Sequence, residues 1–358
     1  MEILMTKVAL VTDSHWGARG DSPVFAKFIS KFYKEIFFPY LKNNYIENII
    51  HLGDIVDRRK FINFVTAKNL YTDFIAPIEE YKIHLHAIIG NHDTTFKNTN
   101  EVNSMDVLYG NRAKFEYYAN PTEITIDGCK IVLMPWICEN NHESAMKMLA
   151  DTTAQVLFGH LEISGFEMHK GSVIDHGMDR NIFSKFEIAC SGHYHHRSSR
   201  GNIHYLGCPY EMTWADYNDP KGFHIFDTQT RELTFVPNPY KIFHKLVYDD
   251  VSKTMDDVTE LDFDQHKDTF VKVIVKNKTN PYWFDMMIDK LEKAGTIQIQ
   301  VVDDNLNLNL ESDESIIDEA EDTITILKNY VANLELDADK GELESLMREL
   351  YGEAMALE

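Results

Sequence analysis

The sequence predicts an α/β fold: a two-sheet sandwich flanked by helices, then a small α+β unit and a C-terminal helical pair. Three observations lead there. Over the first 240 residues, short apolar runs of strand type alternate with segments whose large apolar residues recur at helical spacing. Five of the strand-like runs end in residue types that bind metals. Beyond Pro237-Asn238-Pro239 the texture changes, and the last segment is strongly acidic.

In chain order, residues 6–13 read as a buried strand. Residues 22–44 place Phe25, Phe28, Phe32, Ile36 and Tyr40 on one helical stripe, and Ser22-Pro23 supplies a cap and a first-turn proline. Residues 48–53 form the next strand. Residues 61–81 form a second helix with Phe61, Phe64, Val65, Phe74, Ile75 and Ile78 turned inward, and 83–90 return as a strand. Two such β-α-β passes imply parallel strands with right-handed crossovers. Residues 123–126 and 130–135, around Asp127-Gly128, read as a hairpin. Further short strands fall at 154–159, 187–192, 203–206, 222–227 and 232–236.

Residues 1–240 therefore make a core. Residues 241–302 make a small α+β unit (strands 242–248, 269–275 and 296–302, helix 282–294) with no ligand cluster, suited to packing or substrate shaping. Residues 303–314 are a linker, and 315–358 hold helices at 315–336 and 339–357. Each helix carries one apolar stripe, from Ile316 to Leu334 and from Leu343 to Ala354, on an acidic surface. So small a pair cannot stabilise itself. It docks on its own core or, the favoured reading, on another protein.

With 358 residues, 44% hydrophobic and 26% charged, the composition is that of a globular protein with a sizeable core. No stretch approaches the roughly 18 apolar residues of a membrane span, and the N-terminus lacks a signal-peptide pattern, so the expected location is the cytoplasm. Cys129, Cys138, Cys190 and Cys208 show no paired spacing and read as buried, reduced thiols. The net charge of −22 is uneven: residues 303–358 carry 17 acidic and 3 basic residues, the other 302 carry 40 and 32. Acidity thus resides largely in the tail. It argues against non-specific adhesion to nucleic acid, not against local phosphate contacts.

The ligand-type segments are Asp13-Ser14-His15, Gly53-Asp54, Gly90-Asn91-His92-Asp93, Gly159-His160 and Gly192-His193-Tyr194-His195. Ligands just past the ends of buried strands converge on one edge of a sheet. One aspartate, Asp54, has two oxygens and can bridge two ions roughly 3.5–4 Å apart, the spacing of two-metal hydrolysis. Asp13, His15, Asn91, His160, His193 and His195 complete the sets. Mixed nitrogen and oxygen donors favour Mn²⁺, Fe or Zn²⁺ over Mg²⁺ or Ca²⁺. Such a pair activates water for in-line attack on phosphorus. His92 is placed to protonate the leaving oxygen, and Asp93 to orient that imidazole. Any one of these histidines alone would be an ordinary loop or core residue. Bystanders are expected among sixteen: His84 and His86 alternate along a strand, and His169, His176, His204 and His244 have no partner pattern.

In this order the segments resemble the signature of the calcineurin-like metallophosphoesterases: DxH, GDxxD, GNHD, GH and GHxH. The chain is most similar to the SbcD-type double-strand-break repair nucleases, and within them to the nuclease subunits of phage recombination endonucleases. Pro135-Trp136, Gly159-His160-Leu161-Glu162, Gly207-Cys208-Pro209-Tyr210 and Asp219-Pro220-Lys221-Gly222-Phe223 support this. The resemblance covers the chain strongly to about residue 240 and by layout afterwards. It implies a metallophosphoesterase sandwich with a capping domain. It places Asp13, His15, Asp54 and His195 around one metal and Asp54, Asn91, His160 and His193 around the other, with His92 as catalytic acid. It implies two divalent ions, Mn²⁺ before Mg²⁺, and exonuclease action on double-stranded and endonuclease action on single-stranded DNA. It also implies a homodimer, for which the helix from Phe25 to Tyr40 offers one surface, and an SbcC-type coiled-coil ATPase bound through the C-terminal helices. Where many cellular relatives carry a second active-site histidine, this chain has Asp57. An acid there cannot donate a proton in the same way, which leaves the exonuclease-to-endonuclease balance open and Asp57 to orient a ligand or Arg58.

Arg58, Arg59, Lys60, Lys97 and Arg197, all near ligand loops, are the candidate DNA contacts; solvated charge is the bland alternative. Two rival classes remain. Gly53-Asp54-Ile55-Val56-Asp57-Arg58 looks like a segment of phosphoprotein phosphatases, with Arg58 as a phosphate clamp, but those carry Glu where Asp93 stands. A binding scaffold that lost its chemistry would have lost ligands, and none is missing.

Overall fold

The computed structural model describes residues 7–303 except 111 and 170–171. The predicted tail helices and most of the linker lie outside the described residues. Strands β1 (Lys7–Val11), β2 (Asn48–His51), β3 (His84–Ile88) and β4 (Phe115–Tyr118) run parallel. The hairpin β5 (Thr122–Ile126) and β6 (Cys129–Met134) follows. After it come β7 (Val156–His160), a short pair β8 (Glu167–His169) and β9 (Ser172–Val173), β10 (Ile188–Gly192), β11 (Ser198–Arg200), β12 (Ile203–Tyr205), β13 (Gly222–Asp227) and β14 (Leu233–Pro237). One six-stranded sheet has the order β14-β13-β1-β2-β3-β4, the other β11-β12-β10-β7-β6-β5.

Alternation along the strands builds the layers. Val8 and Leu10 turn into the inter-sheet core with Ile50, Ile88, Leu133 and Phe158. Ala9 and Val11 turn the other way, under the helices. A strand buried on both faces reads as an unbroken apolar run, which is why Val8-Ala9-Leu10-Val11 looks as it does.

Helix α1 (Pro23–Phe32) passes through a π turn (Tyr33–Phe37) into α2 (Phe38–Asn43). The predicted proline sits in the first turn, but the Ser22 side chain makes no cap bond. Phe32 and Phe37 are core under the sheet and Phe25 packs against Ile242 and Phe243, so the suggested dimer surface on this helix is mostly spent within the chain. The second predicted helix begins later, as α3 (Phe64–Leu70), with a π turn (Tyr71–Ile75) into α4 (Ala76–Glu80). Phe74, Ile75 and Ile78 are buried as expected, but Phe61, Phe64 and Val65 are 62%, 92% and 65% exposed. The inward reading of those three is corrected: Asn63 caps the helix through the Val65 amide, and Phe61 lies in the loop before it.

Helices α5 (Ser104–Tyr109) and α6 (His142–Asp151) were not apparent in the sequence. With α7 (Met255–Thr259) after the first and α8 (Pro281–Lys293) after the second, the strands β15 (Phe243–Asp249), β16 (Phe270–Asn277) and β17 (Gln298–Asp303) form a separate parallel sheet. It has its own core around Val273, Phe284 and Leu291. It meets the sandwich through Phe25, Ile242 and Phe243, where the Glu211 carboxylate accepts the Ile242 and Phe243 amides at 2.8 and 3.0 Å. All four cysteines are buried and free. Among the described residues no helix is long and apolar enough to cross a membrane.

Candidate metal centre

The predicted ligands all leave the carboxyl ends of parallel strands: Asp13 and His15 after β1, Asp54 after β2, Asn91 after β3, His160 ending β7, His193 and His195 after β10. Main-chain bonds stitch the loops together. The Asp13 amide donates to Gly53 O at 3.0 Å and the His15 amide to Asp54 O at 3.1 Å. Asp13, His15, Asp54 and His193 hold left-handed backbone at φ 50, 42, 54 and 83°. Each such position costs on the order of 1–3 kcal/mol and persists only where the surroundings enforce it. Two glycines permit the crowding: a Cβ on Gly90 would meet Asp54 Oδ1 at 2.2 Å, and one on Gly192 would meet Thr12 Oγ1 at 2.0 Å.

The side chains form two sets. Asp13, His15 and His195 converge in one, and Asp54, His160 and His193 in the other, with His92 converging on His15 and Asp54 between them. In the first, His15 Nε2 and His195 Nε2 are 3.1 Å apart and Asp13 Oδ1 is 3.8 Å from His195 Nε2. In the second, Asn91 Oδ1 lies 2.9 Å from His160 Nε2 and 3.1 Å from His193 Nδ1. Asp54 Oδ2 reaches both, 3.8 Å from His15 Nε2 and 3.3 Å from His160 Nε2. Ligand bonds of about 2.1 Å place donor atoms around one ion at such separations, so the donor set fits a pair of divalent ions sharing Asp54.

Second partners fix the rings. His160 Nδ1 donates to Leu52 O at 2.8 Å, leaving Nε2 as the ligand atom. Asp57 Oδ1 makes an ion-pair contact with His15 Nδ1 at 3.2 Å, on the side of the ring away from Nε2. The Asp57 carboxylate faces the His15 ring. His92 Nδ1 donates to the Asp57 carbonyl at 2.6 Å, and the His92 amide to Asp54 Oδ1 at 2.8 Å. Asp93 does not orient His92. Its carboxylate accepts the amides of Gly90, Asp54, Ile55 and Val56, tying the β2 loop to the β3 loop.

Burial disfavours charge throughout, yet the carboxylates dominate. For His15 burial is outweighed by Asp57, Asp54 and Asp13, which push the pKa up to about 10. For His160 it is outweighed chiefly by Asp54, up to about 9. Burial beside His160 pushes His193 down to about 3. Burial also works against the Asp54 carboxylate, but His160, His92 and His15 hold it well below its usual range. Protons on His15 and His160 thus stand where divalent cations supply positive charge.

Two anchors under the site escaped the sequence reading. Ser14, between the ligands Asp13 and His15, points into the core: its Oγ is 2.6 Å from Tyr33 Oη and 2.7 Å from His51 Nε2, and Tyr210 Oη donates to its carbonyl. Histidine inside the apolar run Ile49-Ile50-His51-Leu52 was the available signal. On the other side, buried Lys221 donates to the His195 carbonyl (2.8 Å) and pairs with Asp216 (2.7 Å) and Asp219 (2.8 Å).

Among the basic residues, Arg58 pairs with Asp21 at 3.1 Å and lies over Phe61. Arg59 is tied to Thr94 and Phe96 O. Lys60, Lys97 and Arg197 are exposed, Arg197 over the Phe235 ring.

Paired ions bridged by a carboxylate at the edge of a two-sheet sandwich serve phosphoester hydrolysis, and the class this fold and site define is that of metal-dependent phosphoesterases. Residues 6–222 match the calcineurin-like phosphoesterase family, and the chain belongs to it. Over 321 residues it is 31% identical to exonuclease subunit 1 of Enterobacteria phage T4, covering 88% of this chain and 90% of that one. Among solved structures, it is similar to an archaeal phosphodiesterase (14% identity, 65% of this chain and 100% of that one, TM-score 0.31). A dimetal phosphatase from Danio rerio is similar at 11% identity, 62% of this chain and 92% of that one, TM-score 0.38.

Proposed function

We propose that the chain is a DNA nuclease, an exonuclease on double-stranded and an endonuclease on single-stranded DNA, acting in double-strand-break repair and recombination-dependent replication. The two-metal reading is carried by one observation: a single Asp54 oxygen stands within 3.8 Å of His15 Nε2 and 3.3 Å of His160 Nε2. The choice of DNA is supported by the exonuclease-subunit relative. Asp13, His15, Asp54 and His195 hold one ion, and Asp54, Asn91, His160 and His193 the other, Mn²⁺ before Mg²⁺. When bound, the ions activate water and neutralise phosphoryl oxygens.

The chain's own groups do the rest. His92, with Nδ1–H committed to the Asp57 carbonyl, presents Nε2 for protonating the leaving oxygen. Asp57 positions His15 and takes no proton-transfer step. Lys60, Lys97 and Arg197 meet backbone phosphates, and Arg58 and Arg59 brace the loop that carries Lys60. The division into a 1–240 core, a 241–302 capping domain and a 315–358 helical segment belongs to the same reading. The C-terminal helices bind an SbcC-type ATPase in the host cytoplasm, in keeping with a relative that is itself a subunit. Homodimerisation would use the exposed Phe61, Phe64 and Val65 rather than the buried face of α1.

Nucleotide release from an end-labelled linear duplex with Mn²⁺, beside an EDTA control and a phosphopeptide, tests the reading. Mn²⁺-dependent release with an inert phosphopeptide is expected. Phosphopeptide hydrolysis with intact DNA overturns it.

A further inference from the structure

A second histidine–carboxylate cluster lies at the opposite end of β3. His84 and His86, two residues apart, share a face of the strand, and Glu116 on β4 stands in register with His86. One ring nitrogen of each histidine and one Glu116 oxygen lie within 4.8 Å of one another. Glu116 Oε1 is 3.2 Å from His84 Nε2, and Oε2 is 3.7 Å from His86 Nδ1. The imidazoles lie ring on ring, with centroids 4.3 Å apart. Tetrahedral ligands at about 2.1 Å stand about 3.4 Å from one another, close to the His84–Glu116 separation. The catalytic set shows the same spacing, 3.1 Å between His15 and His195 and 3.3 Å between Asp54 and His160.

We propose that His84, His86 and Glu116 form a separate divalent-cation site of Zn²⁺ type, clipping the edge strand β4 to β3. Two imidazoles and one carboxylate are the mixed donor set that suits Zn²⁺ and leaves a fourth position open. Tyr118 bridges the same two groups: its hydroxyl donates to Glu116 Oε2 at 2.5 Å and lies 2.8 Å from His86 Nδ1, so a bound ion would take the place of the proton between His86 and Tyr118. The Glu116 side chain is 53% exposed, which gives an ion its entry path. The five residues of β3, about 16 Å at 3.3 Å per residue, lie between His84 and the loop that carries Asn91, so the two sites do not share ligands.

The test is the Zn²⁺ content of the full chain after dialysis against micromolar free Zn²⁺, compared among wild type, His84→Asn and Glu116→Gln. Each variant should bind one equivalent less than wild type while Mn²⁺-dependent phosphodiesterase activity stays at the wild-type level. Substituting Co²⁺ gives a second readout, a visible d–d band that both variants should lose. Equal Zn²⁺ content in all three chains overturns the site and leaves a hydrogen-bonded polar patch. Two variants at partly exposed positions guard against a folding defect in either.

Discussion

Strand β3 carries a metal-ligand cluster at each end, and the two are built differently. Past its carboxyl end, ligands sit on left-handed backbone, under glycines that admit no Cβ, and are propped by carbonyls and carboxylates from other strands. At its amino end, His84, His86 and Glu116 project from regular strands with no left-handed backbone among them. A sheet places side chains on one face at no conformational cost, which suffices to catch an ion. Holding two ions a fixed distance apart over a reacting phosphorus needs the strained loops.

The sharpest break in the comparison is Asp54→Asn. Losing the shared carboxylate should remove several kcal/mol of transition-state stabilisation, about 10⁴-fold in kcat, with both rim ions weakened and Zn²⁺ uptake at His84 unaffected. Equal loss at both ends, by metal analysis, would show the clusters to be coupled. His92→Ala should lower kcat by about 10²–10⁴-fold while both rim ions remain bound. Loss of metal in that variant would make His92 a ligand instead.

Smaller effects test the supports. Asp57→Asn should weaken metal binding at the rim by about 10–100-fold, the usual consequence of removing a group that orients a ligand histidine. Isothermal titration with Mn²⁺ reads it. An unchanged affinity with a lowered kcat would instead return Asp57 to a role in proton transfer.

Why the two ends differed in legibility follows from the same contrast. The rim ligands lie in sequence beside the strands that place them, so Val8–Val11 followed by Asp13 and His15 announces itself, and so do the other four segments. The far cluster depends on β4, whose Phe115-Glu116-Tyr117-Tyr118 has too little alternation to declare a strand, so His84 and His86 passed as bystanders. Helix α3 misled for a related reason. The pattern at Phe61, Phe64 and Val65 has helical spacing, but local pattern does not say which face the rest of the chain covers. Ser14 and Lys221 act through partners 19 to 37 and 26 positions away, a relation that one sequence does not display.

The last difference is electrostatic. The rim rests on a buried ion-paired cluster in which Lys221 braces the His195 carbonyl, and Asp216 is its closest partner. Burial works against the Asp216 carboxylate, but Lys221 and His195 pull its pKa down to about 2. A carboxyl whose folded pKa lies below the unfolded value, about 3.9, stabilises the fold fully above that value. The contribution is lost as pH falls through about 2. Denaturant unfolding between pH 6 and 2 should therefore show a loss of about 2 kcal/mol that Asp216→Asn no longer shows across the same window. Because that variant keeps the hydrogen-bonding shape but not the charge, it should also loosen the His195 loop. Its Mn²⁺ affinity should drop while Zn²⁺ content at His84 stays constant. A variant that retained the full acid limb would mean that Asp219 alone satisfies Lys221, and that the brace on His195 rests on that one pair.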